Sequence, residues 1–251
     1  RGFKRAMNKN NYAVVIPARY QSSRYPGKPL VDLCGKPMIE HVWERCCQAV
    51  GKEKVYVATD SDQIESVVKN FGGAVIRTSS DCLTGTDRLA EANRTLDCDF
   101  IINVQGDEPL VSPDDINAVA QAYLNGDGSV VNAMCEITDE QEFKSLTVPK
   151  VVCDQSGKLL YMSRSAIPLT KSGEFKFAYK QVCIYAFSKK HLEFFNSHQK
   201  KTPLEAIEDI EILRFLESQY AVQMIMVNSG SLAIDIPEDV ARVIKILKEQ
   251  G

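Results

Sequence analysis

No stretch of this chain offers the roughly 20 consecutive apolar residues that a membrane-spanning helix needs, and its N-terminal region lacks the apolar core of a secretory signal. No membrane insertion is expected, and the expected location is the cytoplasm. Positive charge is in short supply as well: 30 Lys and Arg face 33 Asp and Glu, a formal charge of −3. Without a global basic field, nucleic acid is not an expected partner. Eight cysteines are present, but none stands in CxxC or in a His/Cys spacing suited to zinc. They read as buried, reduced thiols. Histidine is scarce. His41, His191 and His198 are the three in the chain, and each lies in a helical or loop setting that points to a structural or solvent-facing role. The Walker A pattern GxxxxGK[ST] and the dinucleotide fingerprint GxGxxG are both missing, which disfavours an ordinary P-loop or Rossmann cofactor site. There is no internal repeat, low-complexity tract or linker.

What is there suits one large domain carrying a smaller lobe, since 251 residues at 44% hydrophobic can bury a substantial core. Residues 1–6, ahead of Met7, read as an expression remnant, and patterned sequence starts near Tyr12. Short, branched, nearly continuous apolar runs at 12–18, 54–60, 73–78 and 100–105 predict strands covered on both faces. Helical patterns lie between them at 38–50, 61–71 and 86–96, and alternation of this kind predicts a parallel sheet built from βα units. Ser112 followed by Pro113 predicts the start of another helix. From about Lys150 the runs VVCD, KLLYMS and KQVCIYAF predict an antiparallel lobe that could supply a dimer surface. A helix over 204–218, a strand over 221–227 and a helix after Pro237 then rejoin the main layer. The expected division is a tail at 1–11, an α/β core at 12–149, a smaller lobe at 150–200 and a returning segment at 201–251.

Two loops carry the chemistry. After the first strand, PARYQSSRYPGKPL (17–30) sets Arg19, Arg24 and Lys28 among Gly27 and two serines. Strand ends in open α/β sheets present free amides to anions, Arg grips phosphate as a fork, and Lys acts as a point charge. A polyphosphate is the expected ligand; a solvated basic loop is the competing reading. After the fourth strand, NVQGDEPL (103–110) puts Asp107 just past a strand end. Asp235 in AIDIPED stands at a similar strand-to-helix junction. Two carboxylates with waters and substrate phosphates are an adequate set for Mg²⁺, although either Asp alone could equally be a helix cap or turn residue.

Together with TGTDRLAEA (84–92), YMSRSAIP (161–168) and TPLEAIEDIEILR (202–214), these stretches resemble the 3-deoxy-manno-octulosonate (Kdo) cytidylyltransferase family over nearly the whole chain from Tyr12. The resemblance implies an α/β, Rossmann-like nucleotidyltransferase fold with a mostly parallel sheet and a smaller antiparallel lobe. It further implies a homodimer that joins CMP from CTP to an acidic 3-deoxy sugar for lipopolysaccharide synthesis, with Mg²⁺ as cofactor. By position it assigns Arg19, Ser22, Arg24 and Lys28 to the CTP phosphates, with Arg19, Lys28 and Asp107 catalytic. Gly85, Thr86 and Arg88 fall in the nucleotide pocket, and Asp107 and Asp235 become the metal ligands. Gln105, Arg164, Tyr185 and Glu211 fall where that family contacts its sugar. Departures cluster in the same region. Gln181 stands where the family has His, Cys183 where it has Gly, Phe187 where it has Tyr, and Ile212 where it has Gln. Drift is one explanation; the other is a sugar altered at its far end, the 8-amino-3,8-dideoxy analogue, whose ammonium Asp209 and Glu211 could meet. A CMP-sialic acid synthetase and a non-catalytic nucleotide-binding module are the alternative functions.

Overall fold

The computed structural model describes residues 11–21, 25–198, 200–228 and 231–250. YAVVIPA forms β1 (Tyr12–Ala18), whose branched side chains favour extended backbone and are covered on both faces. A minimal hairpin follows, β2 (Asp32–Leu33) and β3 (Lys36–Pro37). The chain then alternates through α1 (Met38–Val50), β4 (Val55–Thr59), α2 (Asp62–Asn70), β5 (Ala74–Arg77), α3 (Gly85–Leu96), β6 (Phe100–Val104) and α4 (Pro113–Asn125). Next come β7 (Val130–Ile137), α5 (Glu140–Lys144), β8 (Lys150–Cys153), β9 (Leu159–Ser163), β10 (Ala178–Ser188) and α6 (Lys189–Asn196). Last are α7 (Pro203–Glu208), α8 (Ile212–Glu217), β11 (Val222–Met226) and α9 (Asp239–Gln250).

Among the described residues nine strands make one mixed sheet whose main path runs β11-β7-β10-β6-β1-β4-β5. The β6-β1-β4-β5 side is parallel, β11 is parallel to β7, and β10 runs antiparallel to both β6 and β7. Alternate residues of β1 feed two cores, as the two-residue period of a strand requires. Val14 and Ile16 face Ile39, Val42 and Trp43 of α1 and Ile116 and Val119 of α4. Ala13 and Val15 face Leu89 of α3, Leu192 and Phe195 of α6 and Phe215 of α8. The result is the expected α/β fold, helices on both faces of the sheet. Among the described residues no helix is long and apolar enough to cross a membrane.

Four details depart from expectation. VVNAMCEI carries an asparagine in its middle and was not expected to form a strand, yet it forms β7. Asn132 is fully buried, and its amide donates to Val182 O at 2.9 Å and Ile184 O at 3.0 Å, where β10 bulges. KQVCIYAF, expected in the antiparallel lobe, lies instead at the centre of the main sheet, because Val182, Ile184, Ala186 and Phe187 are buried. Only the β8–β9 hairpin extends away from the main path, attached along the first part of β10. The helix expected over 204–218 is broken into α7 and α8 at Asp209, whose φ of 52° is left-handed. Finally, all eight cysteines are free thiols, but only Cys46, Cys98 and Cys135 are buried, while Cys47, Cys82, Cys153 and Cys183 are half-buried and Cys34 is exposed.

Candidate active site

The carboxyl ends of β1 and β6 open into a cleft of about 270 Å³. Two glycines shape its rim. Gly27 has φ 72°, a conformation open to glycine at little cost, and it turns the loop straight into the short 3₁₀ turn that starts with Lys28. A Cβ on Gly106 would lie 2.9 Å from Pro17 O, so the two strand-end loops can touch only because this residue has no side chain.

Lys28 links the candidate carboxylates. Its Nζ lies 2.7 Å from Asp107 Oδ2 and 3.6 Å from Asp235 Oδ1. The backbone completes this convergence, with Ile234 N donating to Asp107 O at 2.9 Å. Ser231 Oγ donates to Glu108 Oε2, a second tie between the same two segments. Burial, followed by the neighbouring charges of Asp107 and Asp235, pushes the Glu108 carboxyl up to about 7, against the hydrogen bond from Ser231. Asp107 and Asp235 thus already share one cation, the Lys28 ammonium. That arrangement fits a divalent ion held by two carboxylates together with waters and phosphate oxygens. Among the described residues no group of three or more His, Cys, Asp and Glu side chains forms a closed metal cage.

Of the residues singled out in the sequence, Arg19, Lys28, Gly85, Arg88, Gln105, Asp107, Glu211 and Asp235 all line this one cleft. Ser22 and Arg24 lie outside the described residues. Arg88 is buried, and its guanidinium donates to Thr78 Oγ1 and Ser79 O and lies 3.5 Å from Asp60, so it also holds the loop after β5. The start of α3 is taken up by protein groups. Thr84 and Asp87 form a reciprocal capping box, and the Glu211 carboxylate accepts from Gly85 N at 3.3 Å and Thr86 N at 3.0 Å, as well as from the Thr86 hydroxyl. Burial raises the Glu211 carboxyl above its ordinary range, opposed by these bonds from Thr86.

The other sugar-side residues do not line the cleft. Tyr185 is buried, stacked at 5.6 Å on Phe187. Ile212 is 1% exposed and packs in the core shared by α3, α6 and α8. Gln181 donates from Nε2 to Asn132 Oδ1 at 3.0 Å. The Arg164 guanidinium is turned onto main-chain carbonyls: Nε to Glu208 O at 2.5 Å, Nη2 to Asp209 O at 3.1 Å, and Nη1 to Leu146 O and Thr147 O. Sequence reasoning gave no site role to Lys201, whose Nζ lies 2.5 Å from Asp209 Oδ1 at the cleft wall. It also passed over Glu108, although its place directly beside Asp107 in NVQGDEPL was a usable signal.

A family model described as cytidylyltransferase matches residues 13–227. A 3-deoxy-manno-octulosonate cytidylyltransferase of Acaryochloris marina (strain MBIC 11017) is 39% identical over 243 residues, covering 96% of this chain and 98% of that protein. An 8-amino-3,8-dideoxy-manno-octulosonate cytidylyltransferase of Shewanella baltica (strain OS195) is likewise 39% identical, over 237 residues, covering 92% and 96%. Overall identity therefore does not separate the two sugars. The solved structure of CMP:2-keto-3-deoxy-manno-octonic acid synthetase complexed with CTP aligns with a TM-score of 0.89 at 35% identity, covering 96% of this chain and all of that one.

Proposed function

The chain belongs to the cytidylyltransferase family, and on that footing we propose that it transfers CMP from CTP to an acidic 3-deoxy-octulosonate sugar and releases pyrophosphate. The observation that carries this reading is the Lys28 ammonium beside Asp107 and Asp235 at the mouth of the cleft. Arg19 and Lys28 supply the fixed positive charge for the triphosphate. Bound there, CTP would draw Lys28 towards its phosphates and leave Asp107 and Asp235 to a divalent cation. A Mg²⁺ ion on these carboxylates would neutralise charge on the α-phosphate and acidify the sugar hydroxyl. The chain's own contribution is then positioning and charge, with pyrophosphate leaving opposite the attacking oxygen. Among the described residues no histidine lines the cleft, and the reading assigns no side-chain general base.

The finer reading concerns the far end of the sugar. Gln181 lacks the charge that a histidine could carry, which favours a substrate bearing an ammonium over one bearing a hydroxyl. The carboxylates expected to meet such an ammonium are both engaged, Asp209 with Lys201 and Glu211 with α3, and Gln181 donates to Asn132 without lining the cleft, so the preference rests on the departures from the family pattern at 181 and 183 and not on a contact in the cleft. Exposed Leu160, Leu169 and Phe177 on and beyond the β8–β9 hairpin support a homodimer, which sedimentation would test, and we place the protein in the cytoplasm.

The deciding experiment is pyrophosphate release from CTP and Mg²⁺ with Kdo, with 8-amino-Kdo, with sialic acid and with no sugar. Release with either eight-carbon sugar alone is expected. Release only with sialic acid, or with none of the three, overturns the reading.

A further inference from the structure

Lys150, the first residue of β8, is 0% exposed. Its ammonium donates to three main-chain carbonyls: Ser145 O and Val148 O at 2.7 Å each, and Arg164 O. An ammonium has three hydrogens to donate, so this cage uses all of them. A buried charge is tolerated when it is fully hydrogen-bonded, and here the bonds join two separate segments. One is the loop leading into β8, and the other is the residue that follows β9.

Arg164 is gripped by the same loop from its other end. Its Nη1 donates to Leu146 O and Thr147 O, while Nε and Nη2 donate to Glu208 O and Asp209 O. The left-handed turn at Asp209 is thereby held, and that turn delivers Asp209 and Glu211 to the cleft wall. The loop reaches Gln181 as well, whose backbone N donates to Pro149 O at 3.0 Å. One buried cation therefore lies where Arg164, Gln181 and the Asp209–Glu211 turn are joined. The phosphate side of the cleft, with Arg19, Lys28 and Asp107, stands on the ends of β1 and β6 and, among the described residues, makes no hydrogen bond to this cage.

We propose that Lys150 is a positioning residue for the sugar wall of the cleft: its ammonium holds loop 145–149 against Arg164 and, through Arg164, sets the Asp209–Glu211 turn. The inference rests on the cytidylyltransferase reading for its kinetic consequence, but not for its structural one. Replacing the ammonium by an apolar group of similar length leaves three carbonyls facing one another without a donor. The loop then separates, and Arg164 loses Leu146 O and Thr147 O.

The test is Lys150→Met in the full chain, read in two ways. Amide hydrogen exchange is expected to accelerate at least about tenfold at residues 163–165, 181 and 208–211 while β1 and β4 keep their protection. The KM for the sugar is expected to rise about tenfold or more with the KM for CTP within about twofold of wild type. In Lys150→Ala, added ethylammonium restores the sugar KM and ethanol does not. A sugar KM unchanged in Lys150→Met, a parallel rise for CTP, or exchange that accelerates everywhere alike overturns the proposal. If Lys150→Met does not fold, Lys150→Arg keeps the charge but cannot aim it at three convergent carbonyls; a rise confined to the sugar KM supports the proposal, and no rise or a parallel one overturns it. Should the wild-type chain turn over neither sugar, the functional reading falls, and the exchange pattern alone decides the role of Lys150.

Discussion

Lys28 reaches across 79 positions of sequence to place its Nζ 2.7 Å from Asp107 Oδ2. The pair stands partly open to solvent, with side-chain exposures of 14% and 28%, so a small loss of fold stability is expected when it is broken. Its importance is in chemistry. Lys28→Ala is expected to lower kcat/KM for CTP about 10- to 100-fold, the value of one charged hydrogen bond, while stability changes by less than about 1 kcal/mol. Denaturant unfolding alongside initial rates checks both, and a steep stability loss with rates retained would make the loop structural.

Asp107→Asn and Asp235→Asn keep the shape of each side chain and remove its charge. Each is expected to lower turnover at least about 100-fold, roughly 3 kcal/mol of transition-state stabilisation, with a stability change of less than about 1 kcal/mol. Titrating Mg²⁺ against rate in each variant checks the assignment, since higher metal should recover part of the loss. Rates like the wild type's in either variant would remove it from the metal site.

Gln181 offers a test of the sugar. The wild-type chain is expected to show a higher kcat/KM for the 8-amino sugar than for Kdo, and Gln181→His, which replaces the Gln181–Asn132 hydrogen bond, to move the ratio towards Kdo by about tenfold. Ile212→Gln is a poor companion, because Ile212 lies in the core and the new amide would be buried without a partner at about 1–3 kcal/mol. A preference for Kdo in the wild type, or a ratio unmoved in Gln181→His, would discard the idea.

His191 gives the fold a pH dependence independent of the site. Its ring is buried, 5.6 Å from that of Tyr220 and 5.9 Å from that of Phe215, and burial lowers its pKa from 6.5 to about 4. The unfolded chain therefore takes up a proton more readily than the folded one. The neutral ring's contribution is complete above about pH 6.5 and fades as pH falls towards 4, up to about 3 kcal/mol in all. Urea midpoints between pH 7 and pH 4 should fall less steeply in His191→Gln than in the wild type. Equal slopes would place the acid sensitivity elsewhere.

Local signals were the legible ones. β1 and α1 could be read residue by residue, since branched apolar runs and a 3.6-residue stripe are determined by neighbouring positions. Asp107 could be picked out as a strand-end carboxylate, whereas Asp235 lies in the loop between β11 and α9 rather than at the end of a strand, and their approach through Lys28 and Ile234 depends on pairing between distant segments. β7 escaped because the polar Asn132 is satisfied by groups of β10, the carbonyls of Val182 and Ile184 and the amide of Gln181, some 50 residues onward. The break at Asp209 escaped for a related reason. PLEAIEDIEILRFLE has good helical patterning, and what draws its middle out of line is Arg164 taking the carbonyls of Glu208 and Asp209 while Glu211 caps α3. Arg164 and Ile212 could be placed by resemblance, but which way each side chain turns is a tertiary outcome.

β10 lies between β6 and β7 and pairs with both. During synthesis this delays closure of the sheet. β6, β1, β4 and β5 can assemble once about residue 104 has emerged, but the outer edge of β6 stays unpaired until residues 178–188 follow. β7 waits longer, because both of its neighbours, β10 and β11, are made after it. The nascent chain thus carries open apolar strand edges through some 75 residues of elongation, and edges of that kind recruit other chains. Slowing translation between residues 130 and 178 should lower the soluble yield more than the same delay placed after residue 226.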